Sequence, residues 1–367
     1  MTSKVKADIT LSSSQYEAVC FLPGSRRDSK LPPNADHIFL KQYRPDFLGL
    51  AGPGTVHSLL ISSDDSSRNP LFYNGCVYLP KQDQLFVTSD FLQTTNSSTL
   101  PTILISKLDV QRLSGPEQHI CAFEWMKLRP PLNMPMPAGA CQYKDGVLYC
   151  SQGTLTPDSG GLWYMALGKA PTPVLTSYFN KPFNSIQSVV EDMTGSLWFT
   201  DASVGFEQEI RPKPQLPNQV YRFDPKTGDL RVVADGFSRP MGIAFSPDNS
   251  TLYVTDTDAA RPDGSIDPTR AATIYAFDVT HKFGSPVLVN RHVFAYVRDG
   301  VPAAVACDKV GNVYAACADG VEVWSPGGVA LGLIEVPGGC TSLCFGRDGE
   351  LFICAKQRLW MVRLERT

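Results

Sequence analysis

The chain has 367 residues, of which 43% are hydrophobic and 19% charged, with a formal net charge of -3. That length can bury a large core, and the near-neutral charge gives no basic footprint for nucleic acid. No apolar run approaches the roughly 18–20 residues that cross a membrane as a helix, and the start, MTSKVKADITLSSSQYEAVC, has no apolar segment of a secretory signal. The expected location is cytoplasmic, and neither nucleic acid nor membrane is an expected partner.

Taken in chain order, residues 1–35 read as an irregular arm around the outside of a single domain spanning 36–367. The run HIFLKQY (37–43) has strand character and is expected to pair with the last run, RLWMVRL (358–364), closing the fold. Between them one pattern recurs: a polar turn, then a leucine or valine, an aromatic, apolar residues and a small residue. The copies are QDQLFVTSD (82–90), KDGVLYCSQ (144–152), MTGSLWFTD (193–201), DNSTLYVTD (248–256), KVGNVYAAC (309–317) and RDGELFICA (347–355). Their Asp-, Asn- and Gly-rich turns suit hairpins. A spacing of roughly 40–60 residues suits four short strands per repeat. The fold class expected is all-β, a six-bladed β-propeller.

In a propeller the innermost strand of each blade lines a central channel. Counting back about 10 or 11 residues from each recurrent strand marks where the inner strand begins: Asn74, Met136 or Pro137, Gln187, Met241, Ala303 and Thr341. The near-constant offset places these positions in one ring at one channel mouth, where a ligand is expected. Strand ends beside that ring carry Ser89, Gln152, Asp201, Asp256 and Lys356. Asp201 and Asp256 share a column. They form either a close carboxylate pair able to share a proton or two caps on the turns that follow their strands.

Other chemistry is missing from the sequence. It contains no HExxH, GxSxG, P-loop or GxGxxG run, and none of the five histidines falls in the ring column. Ten cysteines include Cys150, Cys317 and Cys354 in apolar strands, and there is no CxxC. Reduced thiols and no zinc site are expected. The sequons at Asn96 and Asn249 read as ordinary turns.

The segment LPNQVYRFDPKTGDLRVVADGFSRPMGIAFSPDNSTLYVTDT (216–257), with GNVYAACADGVEVWSPGG and FNSIQSVVEDMTGSLWFTD, resembles the gluconolactonase–regucalcin (senescence marker protein) superfamily. It is most similar to the fungal lactonohydrolase branch, and the resemblance covers roughly residues 70–364. That resemblance implies one divalent cation, usually calcium, at the channel mouth. Its ligands would be a Glu on the first inner strand, an Asn in an N-D-V-V-like run, an Asn in a P-N-G run and an Asp in a P-D-G run. This chain has Asn74, Gln187, Met241 and Ala303 at those positions. No carboxylate remains there, and a hard cation needs oxygen donors that include charge.

The expected function is therefore a metal-independent and cofactor-free pocket enzyme. It would take an apolar, carbonyl-bearing small molecule in the channel through a cyclisation or a hetero-Diels–Alder-type cycloaddition, in fungal-type natural-product biosynthesis. Asn74 and Gln187 are the expected hydrogen-bond donors. Asp201, Asp256 and Lys356 are the further catalytic candidates. Tyr73, Ser89, Met136, Gln152, Met241, Ala303 and Thr341 are expected to contact substrate. A lactone hydrolase with an altered metal site and a non-catalytic binding propeller are the alternatives.

Overall fold

The computed structural model describes residues 4–19, 30–63, 69–92, 101–115 and 118–365; the sequon at Asn96 lies outside them. Each recurrent run forms the second strand of a blade. Leu85, Phe86 and Val87 in the first blade are buried, as are Leu197, Trp198 and Phe199 in the third. Strands covered on both faces read as continuous apolar runs rather than alternating ones, which is why these six stood out.

Six blades result, each built on a four-stranded antiparallel sheet. Their inner strands are Asn74–Leu79, Pro137–Tyr143, Ile186–Glu191, Pro240–Phe245, Ala304–Cys307 and Ser342–Phe345. Each packs against the next, and the last packs against the first, so the ring is closed. Glycines set how tightly. A Cβ on Gly75, which has φ +56°, would stand 2.5 Å from the Ala138 carbonyl, and one on Gly139 would stand 2.1 Å from the Gln187 carbonyl. Only glycine lets the first three inner strands approach this closely.

Closure differs from the expectation. The last strand, Arg358–Arg363, pairs with Val56–Ser62, placing Trp360 opposite Leu59. The earlier strand, Phe39–Gln42, instead joins the outer edge of the fifth blade, with Leu40 opposite Ile334. The physical reason is burial: Ile38 and Leu40 sink into the core of the fifth and sixth blades with Phe47, which follows on a short 3-10 turn. The arm also forms short strands. Val5–Asp8 pairs with the first blade, Ser12–Ser13 with the sixth and Gln15–Ala18 with the fifth, covering edges that would otherwise present free N–H and C=O groups.

The seam between the first and sixth blades carries buried charge. Arg112 reaches Asp83 at 2.6 Å within its own blade and Glu350 of the sixth blade at 2.6 Å. Phe72 forms a β-bridge with Lys356 across the same seam.

Candidate functional site at the channel mouth

A cavity of about 300 Å³ runs down the propeller axis. Asn74, Gln187, Met241 and Ala303 line it, each at or beside the start of its inner strand. Strand register explains why counting groups these positions: Val189, Ile243, Val305 and Leu343 all face the third residue from the leucine or valine of their recurrent runs. Gln187, Met241, Ala303 and Thr341 each lie two residues before those positions.

The mouth has a polar side. Gln187 is buried, and its Nε2 donates to Ser185 Oγ at 2.8 Å and to the Ser185 carbonyl at 2.9 Å. Ser185 Oγ donates to Gln152 Oε1 at 3.2 Å, and Gln187 Nε2 lies 3.4 Å from the same oxygen. The Gln187 amide N–H groups are thus directed into the protein, and its Oε1 takes no partner among the described residues. This corrects the expected donor role of Gln187. Asn74 Oδ1 accepts from the Gly75 N–H at 2.8 Å, and its Nδ2 takes no partner among the described residues. Met241 and Ala303 form the apolar side. The Met241 backbone carbonyl accepts from Thr200 Oγ1 at 2.6 Å, tying the third blade to the fourth.

Asp201 and Asp256 do not form a pair. Asp201 accepts the backbone N–H groups of Asn184 (2.9 Å) and Ser185 (2.7 Å), while Asp256 accepts those of Ser238 and Arg239, both at 2.9 Å. Each carboxylate holds the turn leading into its own inner strand. Burial pushes Asp201 up to about 7, against the pull of those two bonds and of Arg211. Ser89 is also directed to the backbone, donating to the Asp90 carbonyl and accepting the Leu104 N–H.

Met136 and Thr341 stay out of the cavity lining. Met136 has left-handed backbone (φ 51°) one residue before the ring position and packs with Ile103 and Ile210. Pro137 is not in the lining either, and the second blade meets the cavity from Gly139 to Gln142. Thr341 Oγ1 donates to the Cys354 carbonyl at 3.2 Å, and Ser342 lines the channel instead. Tyr73 lies beside the lining, its hydroxyl pushed up to about 12 by burial and then by the Asp90 charge. Asp90 is itself raised by burial, opposed by the Phe91 N–H and by Lys356. Lys356 is exposed, in a tight turn with φ 63°. Ser185, Ser342 and Gly139 went unrecognised in the sequence; the signal for Ser185 was its place two residues before Gln187 in the run NSIQS.

A second cavity of about 810 Å³ lies over the fifth and sixth blades, bounded by Lys356, Arg358, Asp319 and arm residues Lys30, Leu31, Pro33 and Asn34. Asp319 is pushed up to about 6 by burial and the nearby Asp299. Glu322 behind it is pushed up to about 8 by burial and the nearby Asp319, although it accepts the Arg298 N–H at 2.9 Å. Carboxyls raised in the folded state hold protons that the unfolded chain releases near its ordinary pKa, so stability falls as pH climbs from about 4 to about 8. The melting temperature is expected to be higher at pH 5 than at pH 8, and Glu322→Gln should flatten the slope. An unchanged pH profile in that variant would remove Glu322 as its source.

The donor set at the mouth does not fit a divalent cation. Two neutral amide oxygens, a thioether and a methyl group offer no charge to offset dehydration of a hard ion. Among the described residues, no three His, Cys, Asp or Glu side chains converge to hold a metal.

Fold and site together define a six-bladed propeller with a ligand-sized channel mouth. The chain belongs to the SMP-30/gluconolactonase/LRE-like region family, whose model matches residues 112–357. It is 32% identical over 198 residues to a gluconolactonase of Zymomonas mobilis, a match covering 52% of this chain and 53% of that protein. The chain therefore matches about half the length of that relative. It is 26% identical over 318 residues to a lactonohydrolase of Aspergillus oryzae, covering 81% of this chain and 67% of that one. A solved gluconolactonase from Xanthomonas campestris shares the fold with a TM-score of 0.69 at 22% identity, covering 93% of this chain and 99% of that one.

Proposed function

We propose that this chain is an enzyme working without a resident metal, which binds an uncharged, carbonyl-bearing small molecule at the channel mouth and promotes its cyclisation or cycloaddition, of hetero-Diels–Alder type. The observation that carries the reading is the two-sided mouth. Neutral amides stand on one side, a thioether and a methyl on the other, and the nearby carboxylates Asp201 and Asp256 are bonded to backbone. The four mouth side chains Asn74, Gln187, Met241 and Ala303 include no base and no nucleophile, so they suit a reaction whose barrier is one of arrangement. Holding reacting ends in a near-attack pose can lower a barrier by up to about 7–11 kcal/mol. Asn74 Nδ2 would donate to the substrate carbonyl as charge develops there. Gln187 Oε1 would accept from a substrate hydroxyl, and Met241 with Ala303 would seat the hydrocarbon. Fungal-type natural-product biosynthesis is the proposed setting, cytoplasm the proposed location, and residues 36–367 the proposed single domain.

The names of the relatives favour a second reading, lactone hydrolysis. One comparison separates the two. The purified chain is given aldonolactones with and without calcium, and separately an electron-poor heterodiene with an alkene. The proposal expects no metal-dependent hydrolysis, together with accelerated, stereoselective adduct formation that Asn74→Ala reduces at least about tenfold while leaving the melting temperature within about 2 °C. Calcium-dependent hydrolysis abolished by chelator would overturn it in favour of the lactonase reading. An Asn74→Ala variant with parental rate and selectivity would remove Asn74 from the mechanism.

A further inference from the structure

Thiols gather where the ring closes. Cys76 is on the inner strand of the first blade and Cys344 on that of the sixth, with their sulfurs 3.4 Å apart and 268 residues between them in sequence. Both residues border the axial cavity, and their side chains pack among the apolar residues between the first and sixth blades. Cys354 completes the cluster beside Cys76 but is wholly buried and does not line the channel. The nine cysteines among the described residues are free. The first and sixth blades are held together by packing, the Arg112–Glu350 ion pair and the Phe72–Lys356 bridge, without a covalent bond.

We propose that Cys76 and Cys344 are an oxidation site, at which a peroxide converts the two thiols to a disulfide that clasps the first blade to the last. The sulfurs need to close from 3.4 Å to about 2.05 Å, a side-chain movement between neighbouring strands. Burial raises both thiols, and either sulfur is able to donate to the other, so the step is written for the pair. The thiolate of one cysteine attacks one oxygen of hydrogen peroxide and becomes a sulfenic acid, releasing hydroxide. The sulfur of the other then displaces the sulfenic oxygen as a second hydroxide. With the two thiol protons, the balance is two thiols and one peroxide to one disulfide and two waters. Because thiolate is the reacting form, the rate rises with pH through the neutral range.

The test treats the full chain with hydrogen peroxide, blocks remaining thiols by alkylation under denaturing conditions, and maps the peptides by mass spectrometry. The proposal expects one linked Cys76–Cys344 peptide pair lighter by two hydrogens, reversed by dithiothreitol. Closing so long a loop should raise the melting temperature by about 3–6 °C. Cys344→Ser and Cys344→Ala should both lose the linked pair and the thermal shift. Because Cys344 is only partly buried, at least one of these variants is expected to keep the fold. Alkylated Cys76 and Cys344 after peroxide treatment would overturn the proposal. So would a link from Cys76 to Cys354, or over-oxidation of Cys76 without any link.

Discussion

Replacing Arg211 with methionine is expected to lower the unfolding free energy by about 3–5 kcal/mol, the largest loss expected from any single side chain near the mouth. Arg211 is 3% exposed. Its Nε donates to the Asn184 carbonyl at 2.9 Å, and its terminal nitrogens reach the carbonyls of Phe183 (2.7 Å), Thr154 (2.8 Å), Pro157 (2.9 Å) and Thr156 (3.0 Å). Three loops therefore meet on one guanidinium: the 154–159 loop of the second blade, the turn before Ile186, and the loop that carries Arg211. Methionine fills a similar volume but takes the donor from five carbonyl groups, of which only Thr154 and Thr156 also accept from Ser159, and removes the cation that acts on the buried Asp201. Asn184 and Ser185 are the residues whose N–H groups Asp201 holds, and Ser185 orients the Gln187 amide. Loosening Arg211 should therefore weaken ligand binding at the mouth as well as stability. Arg211→Lys keeps the charge but loses the fork, and should recover less than half of the lost stability. Urea titration of the three proteins measures this. A loss below about 1 kcal/mol for Arg211→Met would mean that water satisfies the carbonyls and the clamp is not structural.

That clamp was invisible in the sequence, and the reason is general to this fold. The six recurrent strands were legible because burial on both faces turns them into unbroken apolar runs with a polar turn before each. The turn lengths then fix register, which is why Asn74, Gln187, Met241 and Ala303 could be placed at one mouth by counting. Counting fails where the backbone switches hand, as at Met136. Pairing across the closure was not legible either. HIFLKQY and VHSLLIS both have strand character, and only the core packing of Ile38, Leu40 and Phe47 decides which of them meets the last strand. The direction of an amide depends on neighbours from another blade, so the sequence could nominate Gln187 but not show that Ser185 and Gln152 occupy its N–H groups. Arg211 sits in an irregular loop and bonds to backbone atoms, which carry no residue signature.

The converse experiment rebuilds the mouth. The family resemblance implies that Pro240–Met241–Gly242 stands where a P-N-G run would be, and that Pro302–Ala303 stands where a P-D pair would be. The prolines on the scaffold side are kept while the donor is lost. Combining Asn74→Glu, Gln187→Asn, Met241→Asn and Ala303→Asp should give a chain that binds calcium with a dissociation constant of about 10⁻⁵–10⁻³ M, where the parent binds none by calorimetry. The sign of the stability change provides a second readout. Without metal, two added carboxylates at one mouth repel each other when both are ionised, so the rebuilt chain should melt below the parent in chelator. Calcium at a hundred times its dissociation constant should then restore about 2.7 kcal/mol. Ala303→Asp alone should bind no calcium detectably, because one carboxylate with a thioether beside it does not complete an oxygen shell. Each outcome bears on the chemistry. Binding by the rebuilt chain would mean that the four positions converge as a coordination site in space, so that their neutral side chains in this protein are what separates it from metal-dependent lactone hydrolysis. Tight binding by the parent would mean that oxygens other than these four hold the ion, and the arrangement-driven reaction proposed for the mouth would give way to hydrolysis.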